Sequence, residues 1–393
     1  MRPPSHHSPN NKTSAMPQQP DTETLNAMAL SRIDRFHPAG ILELYNRLGS
    51  ATSVIEHRNN IREVIPDASR YLTEGLGRLD DAMRRAEEEM EYDLKHHIVP
   101  LAFHDKRYPE RMRQCPDAPL VLYFLGNADL NNIRTINIVG TRRCTPYGKD
   151  LIKSFIDDLK ELCPGILIFS GLAYGVDICA HREALADGFD TVGVLAHGLD
   201  DIYPKAHRST AIEMLQQGGL LTEYMTRTEP FAKNFVRRNR IVAGCSDATI
   251  LVESASHGGG LITCSIARSY NRDVFAFPGS VGATYSEGCN NLIRDNGATL
   301  ITSAADFVKA MMWDDGIRLQ KARKSGIQRD LFPNLSDDEK AIVSALAQTN
   351  DQQLNALTIT TSMPINRLSS LLFELELKGI VRPLAGGAYH LIM

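Results

Sequence analysis

Paired cysteines are missing from this sequence. Its seven cysteines (Cys115, Cys144, Cys163, Cys179, Cys245, Cys264, Cys289) are scattered, odd in number and never spaced C-x-x-C. That spacing excludes a disulfide framework and a zinc knuckle, and points to reduced thiols that mostly fill core in a cytoplasmic protein. No apolar run reaches the roughly 20 residues that span a bilayer, and the first residues lack the apolar stretch of a signal peptide. No membrane partner is expected. A G-x-G-x-x-G fingerprint is absent from every strand–helix junction, which removes a standard dinucleotide site. "GTRRCTPYGKD" (140–150) ends in Gly-Lys, but its glycines stand too far apart for a Walker A loop, and Asp150 replaces the Ser or Thr that would hold Mg²⁺. H-E-x-x-H, G-x-S-x-G and paired Cys/His ligand spacings do not occur either. No catalytic machinery is evident, and neither cofactor nor metal is expected. An overall basic charge is lacking too: 43 Lys and Arg face 47 Asp and Glu, for a net −4. A local basic patch is still allowed.

What is present is ordinary globular material, 43% hydrophobic and 23% charged over 393 residues, enough for two or three domains. Residues 1–22 are rich in Pro, Ser, Asn and Gln and read as a disordered tail. Residues 23–92 read as a small all-α domain, with "LGS" at 48–50 as a helix stop and new cap, and "GRLDDAMRRAEEEMEYDL" as a charged surface helix. From 98 to 312, short β-branched runs ("TINIVG", "GILIFSG", "TVGVLAHG", "LLTEY", "ATILVES", "DVFAFPG", "ATLIT") alternate with helical segments. Several are apolar throughout, as in strands covered on both faces. Such units make a doubly wound, parallel α/β sheet whose ligands lie beyond the strand carboxyl ends. Residues 313–334 read as a linker. Residues 335–393 give helices closed by a hairpin at Gly386-Gly387, a winged-helix pattern.

The glycines and polar residues of the α/β region fall at strand ends, in turns suited to anions. "NIVGTRRCTPYG" carries Gly140, Thr141, Arg142 and Arg143 into a helix, and "FSGLAYGVDICAH" carries Ser170, Gly171 and Gly175. Glycine at a helix start permits close approach by a phosphate. Asp177 reads as a helix cap and His181 as a packed helix residue. "HGGGLIT" (257–263) is a third glycine-rich turn. The run "FAKNFVRRNR" (231–240) then sets Lys233, Arg237, Arg238 and Arg240 together without an acid. If a helix starts near Phe235, the arginines occupy its first turns, where the helix dipole opposes cations by about 0.3–1 kcal/mol each. A bound anion removes that conflict; an internal acid such as Glu253 is the competing explanation. Phe231 and Phe235 beside the cations suit a single strand, whose bases stack on aromatic rings, although core packing accounts equally for Phe231.

In order and spacing, "VGTRRCTPYG", "SGLAYGVDICAH", "GLDDIYP", "FVRRNRIVAG", "VESASHGGGLIT", "FAFPG" and "SEGCNNLIRDNGATLI" resemble the motifs of the DNA-processing protein A (DprA/Smf) family over roughly 98–310. The resemblance implies a Rossmann-like, mostly parallel sheet between a small helical (SAM- or helix-hairpin-helix-like) domain and a winged helix. It implies a non-enzymatic, single-stranded-DNA-binding recombination mediator of natural transformation, a homodimer that protects incoming strands and helps load the RecA recombinase. The implied contacts are Gly140, Thr141, Arg142 and Arg143, then Ser170, Gly171 and Gly175, then Lys233, Phe235, Arg237, Arg238, Asn239 and Arg240. Many relatives carry Pro where this chain has Val236. "RIDRFHPAG" lacks the Gly-x-Gly hairpin of a helix-hairpin-helix, and Glu374 and Glu376 beside Arg367 and Lys378 weaken the last helix as a major-groove reader. Two other readings stay open: a phosphoribohydrolase-like enzyme using Glu253 and Thr263, although its P-G-G-x-G-T order is missing, or a nucleotide-sensing domain using the same turns.

Overall fold

The computed structural model describes residues 21–33, 37–313, 335–384 and 387–392. Nearly all of the expected tail and of the linker, the centre of "RIDRFHPAG" and Gly386 lie outside them; at the end of the expected tail Asp21 instead caps the helix Thr22–Leu30. The described residues form two compact units, one drawn from 1–143 and 165–300, the other from 144–164 and 301–393.

The first unit begins with helices. Pro38–Leu48 has Pro at its start and stops at Gly49, whose φ of 84° is left-handed; Ser50 then caps Ala51–Glu56 by accepting from the Ser53 amide. "LGS" therefore punctuates as its residue types dictate. The helix Leu79–Lys95 departs from expectation: it is not simply a charged surface helix, because Glu89 and Asp93 are each only 1% exposed. Glu89 is buried because it is fully used. It accepts from the Thr226 amide at 2.6 Å, the Thr226 hydroxyl at 2.5 Å and Arg85 at 2.6 Å. Asp93 has no such partners: neither carboxyl oxygen is hydrogen-bonded among the described residues. Burial, reinforced by Glu89, pushes its carboxyl up to about 8.

Nine strands build the sheet: β1 (Val99–Ala102), β2 (Val121–Gly126), β3 (Thr135–Val139), β4 (Leu167–Ser170), β5 (Thr191–Val194), β6 (Gly218–Thr222), β7 (Ala248–Leu251), β8 (Asp273–Ala276) and β9 (Thr299–Leu300). Their order is β1-β2-β6-β5-β4-β3-β7-β8-β9. β3 to β9 are parallel neighbours, whereas β1 and β2 add an antiparallel edge through β2–β6. β3 to β6 are fully buried along their length, as apolar runs without alternation require. β2 escaped the strand–helix reading because no crossover helix follows it. The chain leaves β3 in one direction for β4 to β6 and in the other for β7 to β9, so the switch point lies between β4, β3 and β7.

In the second unit, Pro146–Leu162 and Ala304–Ala310 meet through Phe155 and Phe307, edge to face at 5.6 Å. Helices Asp337–Gln348, Leu354–Thr361 and Ile365–Leu377 surround Ile342, Leu346, Leu357, Leu368 and Leu372. A three-stranded antiparallel sheet of Gln352–Gln353, Ala388–Leu391 and Val381–Leu384, in that order, completes a winged helix. A capping box between Ser336 and Glu339 starts its first helix.

The Asp93 environment makes stability depend on pH. The folded protein keeps this proton to about pH 8, whereas an unfolded chain releases it near 3.8. The associated stability is intact below that lower value and is lost as pH rises to about 8. Asp93→Asn removes this dependence. In urea melts it gains on the wild type across that interval by about 1.4 kcal/mol per pH unit, or about 5 kcal/mol at the upper end. Parallel stability profiles for the two proteins contradict the assignment.

Candidate nucleic-acid interface

The site forms where β3, β4 and β7 end. After β3 the chain turns through Gly140 and Thr141, and the Thr141 amide donates to the Glu253 carbonyl at 2.7 Å, joining this turn to the end of β7. After β4 a second turn leads to the helix Val176–Ala186. Gly175 sits there at φ 81°, and a Cβ on it would lie 2.2 Å from the Thr141 carbonyl oxygen. Only glycine lets the two turns touch. The Val176 amide then donates to that carbonyl at 3.1 Å. Asp177 does not cap the helix, which has no side-chain cap; it lies in the first turn and reaches back to accept from the Gly171 amide at 3.2 Å, bracing the turn after β4. Its carboxyl is raised by burial, which nearby Arg238 opposes. His181, fully buried against the Thr191 hydroxyl, is held to about 3 by burial and then by Arg238, and is neutral.

Arg238 is the floor of the site. It is 3% exposed, and its guanidinium donates to the carbonyls of Gly171 (2.6 Å) and Val194, tying the ends of β4 and β5. Burial lowers its pKa, which Asp177 offsets. Its Nε has no partner among the described residues. Phe235 stands above, half-buried, with the Arg238 and Arg142 guanidinium carbons 5.9 and 5.7 Å from its ring centre. Arg142 itself is exposed. These groups border a cleft of about 300 Å³ that Gly140, Thr141, Gly171, Asn239 and the Gly258–Gly260 turn also line. Gly258 begins the helix Gly259–Ser269 without a side-chain cap, and the space beside Gly259 is open. The cleft therefore joins two guanidinium groups, an aromatic face and a helix start of positive dipole, a combination suited to an anionic, ring-bearing ligand.

Several sequence expectations need correction. The helix of the basic run is Ala232–Gly244, not one starting near Phe235. Arg237, Arg238 and Arg240 thus lie beyond its first turn, where the dipole has largely faded. Arg240 does not reach the cleft. It is buried in an ion pair with Glu223 at 2.5 Å and donates to the Asp117 carbonyl. The internal acid is therefore Glu223 rather than Glu253. Arg237 shares Glu223 at 3.2 Å with its side chain 47% exposed, outside the cleft lining. Ser170 is wholly buried, its hydroxyl donating to the Ile138 carbonyl at 2.7 Å. Ser170 and Gly175 hold the turns and do not line the cleft. Arg143 and Lys233 are exposed outside it, and the Thr141 and Gly171 amides are occupied internally. The "HGGGLIT" turn, left out of the expected contacts, enters the cleft because β7 lies beside β3, an adjacency that spacing along the chain does not reveal.

In the winged helix, Arg367 pairs with Asp338 and Lys378 with Glu339 at 2.6 Å. No cluster of three metal-ligating side chains occurs among the described residues, and none of their helices is long and apolar enough to cross a membrane.

A mostly parallel α/β sheet with a cationic, aromatic-edged cleft at its switch point, joined to a winged helix, defines a nucleic-acid-handling class of protein. The sequence matches the family described as DNA recombination-mediator protein A over residues 100–312, and that family's winged-helix domain over 330–387; the chain belongs to this family. It is similar to Protein Smf of Escherichia coli (strain K12), with 31% identity over 300 residues that cover 75% of this chain and 78% of that protein. The X-ray structure of DNA processing protein A from Streptococcus pneumoniae aligns with TM-score 0.55 and 30% identity, covering 70% of this chain and 98% of that one. DNA processing protein A from Helicobacter pylori, whose structure describes a single-stranded DNA binding mode, aligns with TM-score 0.50 and 29% identity over 55% of this chain and 95% of that one.

The two kinds of arginine separate by experiment. Arg240→Ala leaves Glu223 buried with one half-exposed partner, and is expected to cost about 3–5 kcal/mol of stability. Thermal denaturation of Arg240→Ala beside Arg142→Ala checks this: the first melts well below wild type and the second within a few degrees of it. Equal melting temperatures contradict the division.

Proposed function

We propose that the cleft grips single-stranded DNA, and that the protein serves as a recombination mediator that shields incoming strands and helps deliver them to the RecA recombinase during natural transformation. The observation that carries this reading is Phe235 flanked by Arg142 and Arg238 at the mouth of a cleft that also holds an uncapped helix start. Phosphates meet Arg142 and the amides at Gly259 and Gly260, while a base meets the aromatic edge. The family membership and the relative described as binding single-stranded DNA support it. The homodimeric state and the RecA partnership rest on the family resemblance alone.

The reading is non-enzymatic. A nucleotide-cleaving mechanism would need Glu253 to face its substrate, but Glu253 is 3% exposed and stands outside the cleft lining. Thr263 lines the cleft at 2% exposure. The acid that lines the same cleft, Asp177, is engaged by the Gly171 amide at 3.2 Å.

Binding is expected to be largely independent of sequence and to weaken with salt, the logarithmic slope falling by about 0.7 for each phosphate contact removed. Arg142→Ala weakens oligo-dT affinity and flattens the salt slope by about that amount, measured by fluorescence anisotropy across a salt series. Unchanged affinity and slope overturn the assignment.

A further inference from the structure

We infer that the bound strand continues out of the cleft across Tyr203 and Tyr174, each offering a ring face to a base. This rests on the cleft being a single-stranded-DNA site. Phe235 alone is a poor platform for more than one base, because Arg142 and Arg238 already lie within 6 Å of its ring centre. Tyr203 extends the aromatic surface outward: its ring meets Phe235 at 5.7 Å and 61°, yet the residue is 47% exposed. Tyr174 follows Ala173, which lines the cleft; it is 50% exposed and meets His207 at 4.7 Å and 69°. Near-perpendicular contacts use only part of each ring's surface and leave area free for stacking.

Isolated exposed tyrosines need no explanation, but these two are held in place. The Tyr203 amide donates to Nε2 of His197, whose Nδ1 donates to the Gly198 carbonyl at 2.8 Å. His207 donates through Nδ1 to the Leu172 carbonyl at 2.8 Å, which fixes the turn carrying Tyr174. Both histidines are buried, at 3% and 4% exposure. Tyr203 and His207 belong to one short segment, Tyr203-Pro204-Lys205-Ala206-His207, so it braces both rings. On that segment and just after it, Lys205 and Arg208 are exposed. Among nearby acids, Asp200 is engaged by the Arg227 amide at 2.9 Å, while Asp201 is exposed. The ledge therefore combines fixed, half-exposed rings with cations beside them, at the carboxyl ends of β4 and β5. This is the pattern that tracks a single strand by stacking rather than by reading base edges.

The test is fluorescence anisotropy with the full chain, using oligo-dT of about 15 nucleotides and an abasic strand of equal length. Tyr203→Ala and Tyr174→Ala are each expected to weaken oligo-dT binding by about 5- to 150-fold while leaving abasic binding unchanged. Tyr203→Phe and Tyr174→Phe keep the ring and retain affinity. If the alanine variants bind oligo-dT like wild type while Arg142→Ala does not, the ledge is overturned and the cleft stands. An equal loss on abasic DNA also overturns it, since the rings would then act only through the fold. If wild type binds neither strand, the reading of the cleft fails and the ledge with it.

Discussion

The site depends on one buried cation. Arg238 reaches from the helix Ala232–Gly244 into the sheet and bonds the carbonyls that end β4 and β5. Removing a guanidinium from water costs several kcal/mol, recovered here from those carbonyls and from Asp177. Asp177 in turn holds the Gly171 amide, and a Cβ at Gly171 would lie 2.6 Å from the Arg238 guanidinium. Helix, turn and strand ends thus fix one another, and Phe235 is carried above on the same helix. A cleft built in this way is already ordered before any ligand arrives.

The same helix shows how an acidic protein keeps a cationic site. Its arginines are sorted by what they face: Arg240 is neutralised inside by Glu223, Arg237 partly so, and Arg238 is held by backbone carbonyls with Asp177 as the nearby charge. Arg142, from another strand end, is the exposed cation of the cleft lining. The run "FVRRNR" therefore joins a buried ion pair and cleft-lining groups within a few residues. Charge counts along the chain cannot separate these roles, because the partners lie far away in sequence.

That limit marks where the sequence was legible. Strands β3 to β7 could be read because fully buried parallel strands are apolar without alternation, and β8 and β9 because short β-branched runs recur between helical segments. The glycines at 140 and 171–175 also marked the turns that meet at the switch point, although the Thr141 and Gly171 amides are occupied internally. Three features were not. β2 lacked the crossover that would have flagged it. The burial of Glu89 and Asp93 ran against their charge, since Thr226, the partner that satisfies Glu89, lies 137 residues away. The glycine helix start at 258–260 joined the cleft only through the pairing of β3 with β7. Local chemistry was readable throughout, whereas juxtaposition required the topology.

The central claim is that single-stranded DNA is held at the switch point of the sheet rather than on the winged helix, whose Arg367 and Lys378 are paired internally. A crystal structure of the full chain with oligo-dT tests it most directly. The account predicts a phosphate on the Arg142 guanidinium and the Gly259 amide, with a base beside Phe235. A strand bound along the winged helix, with the cleft unoccupied, would contradict it.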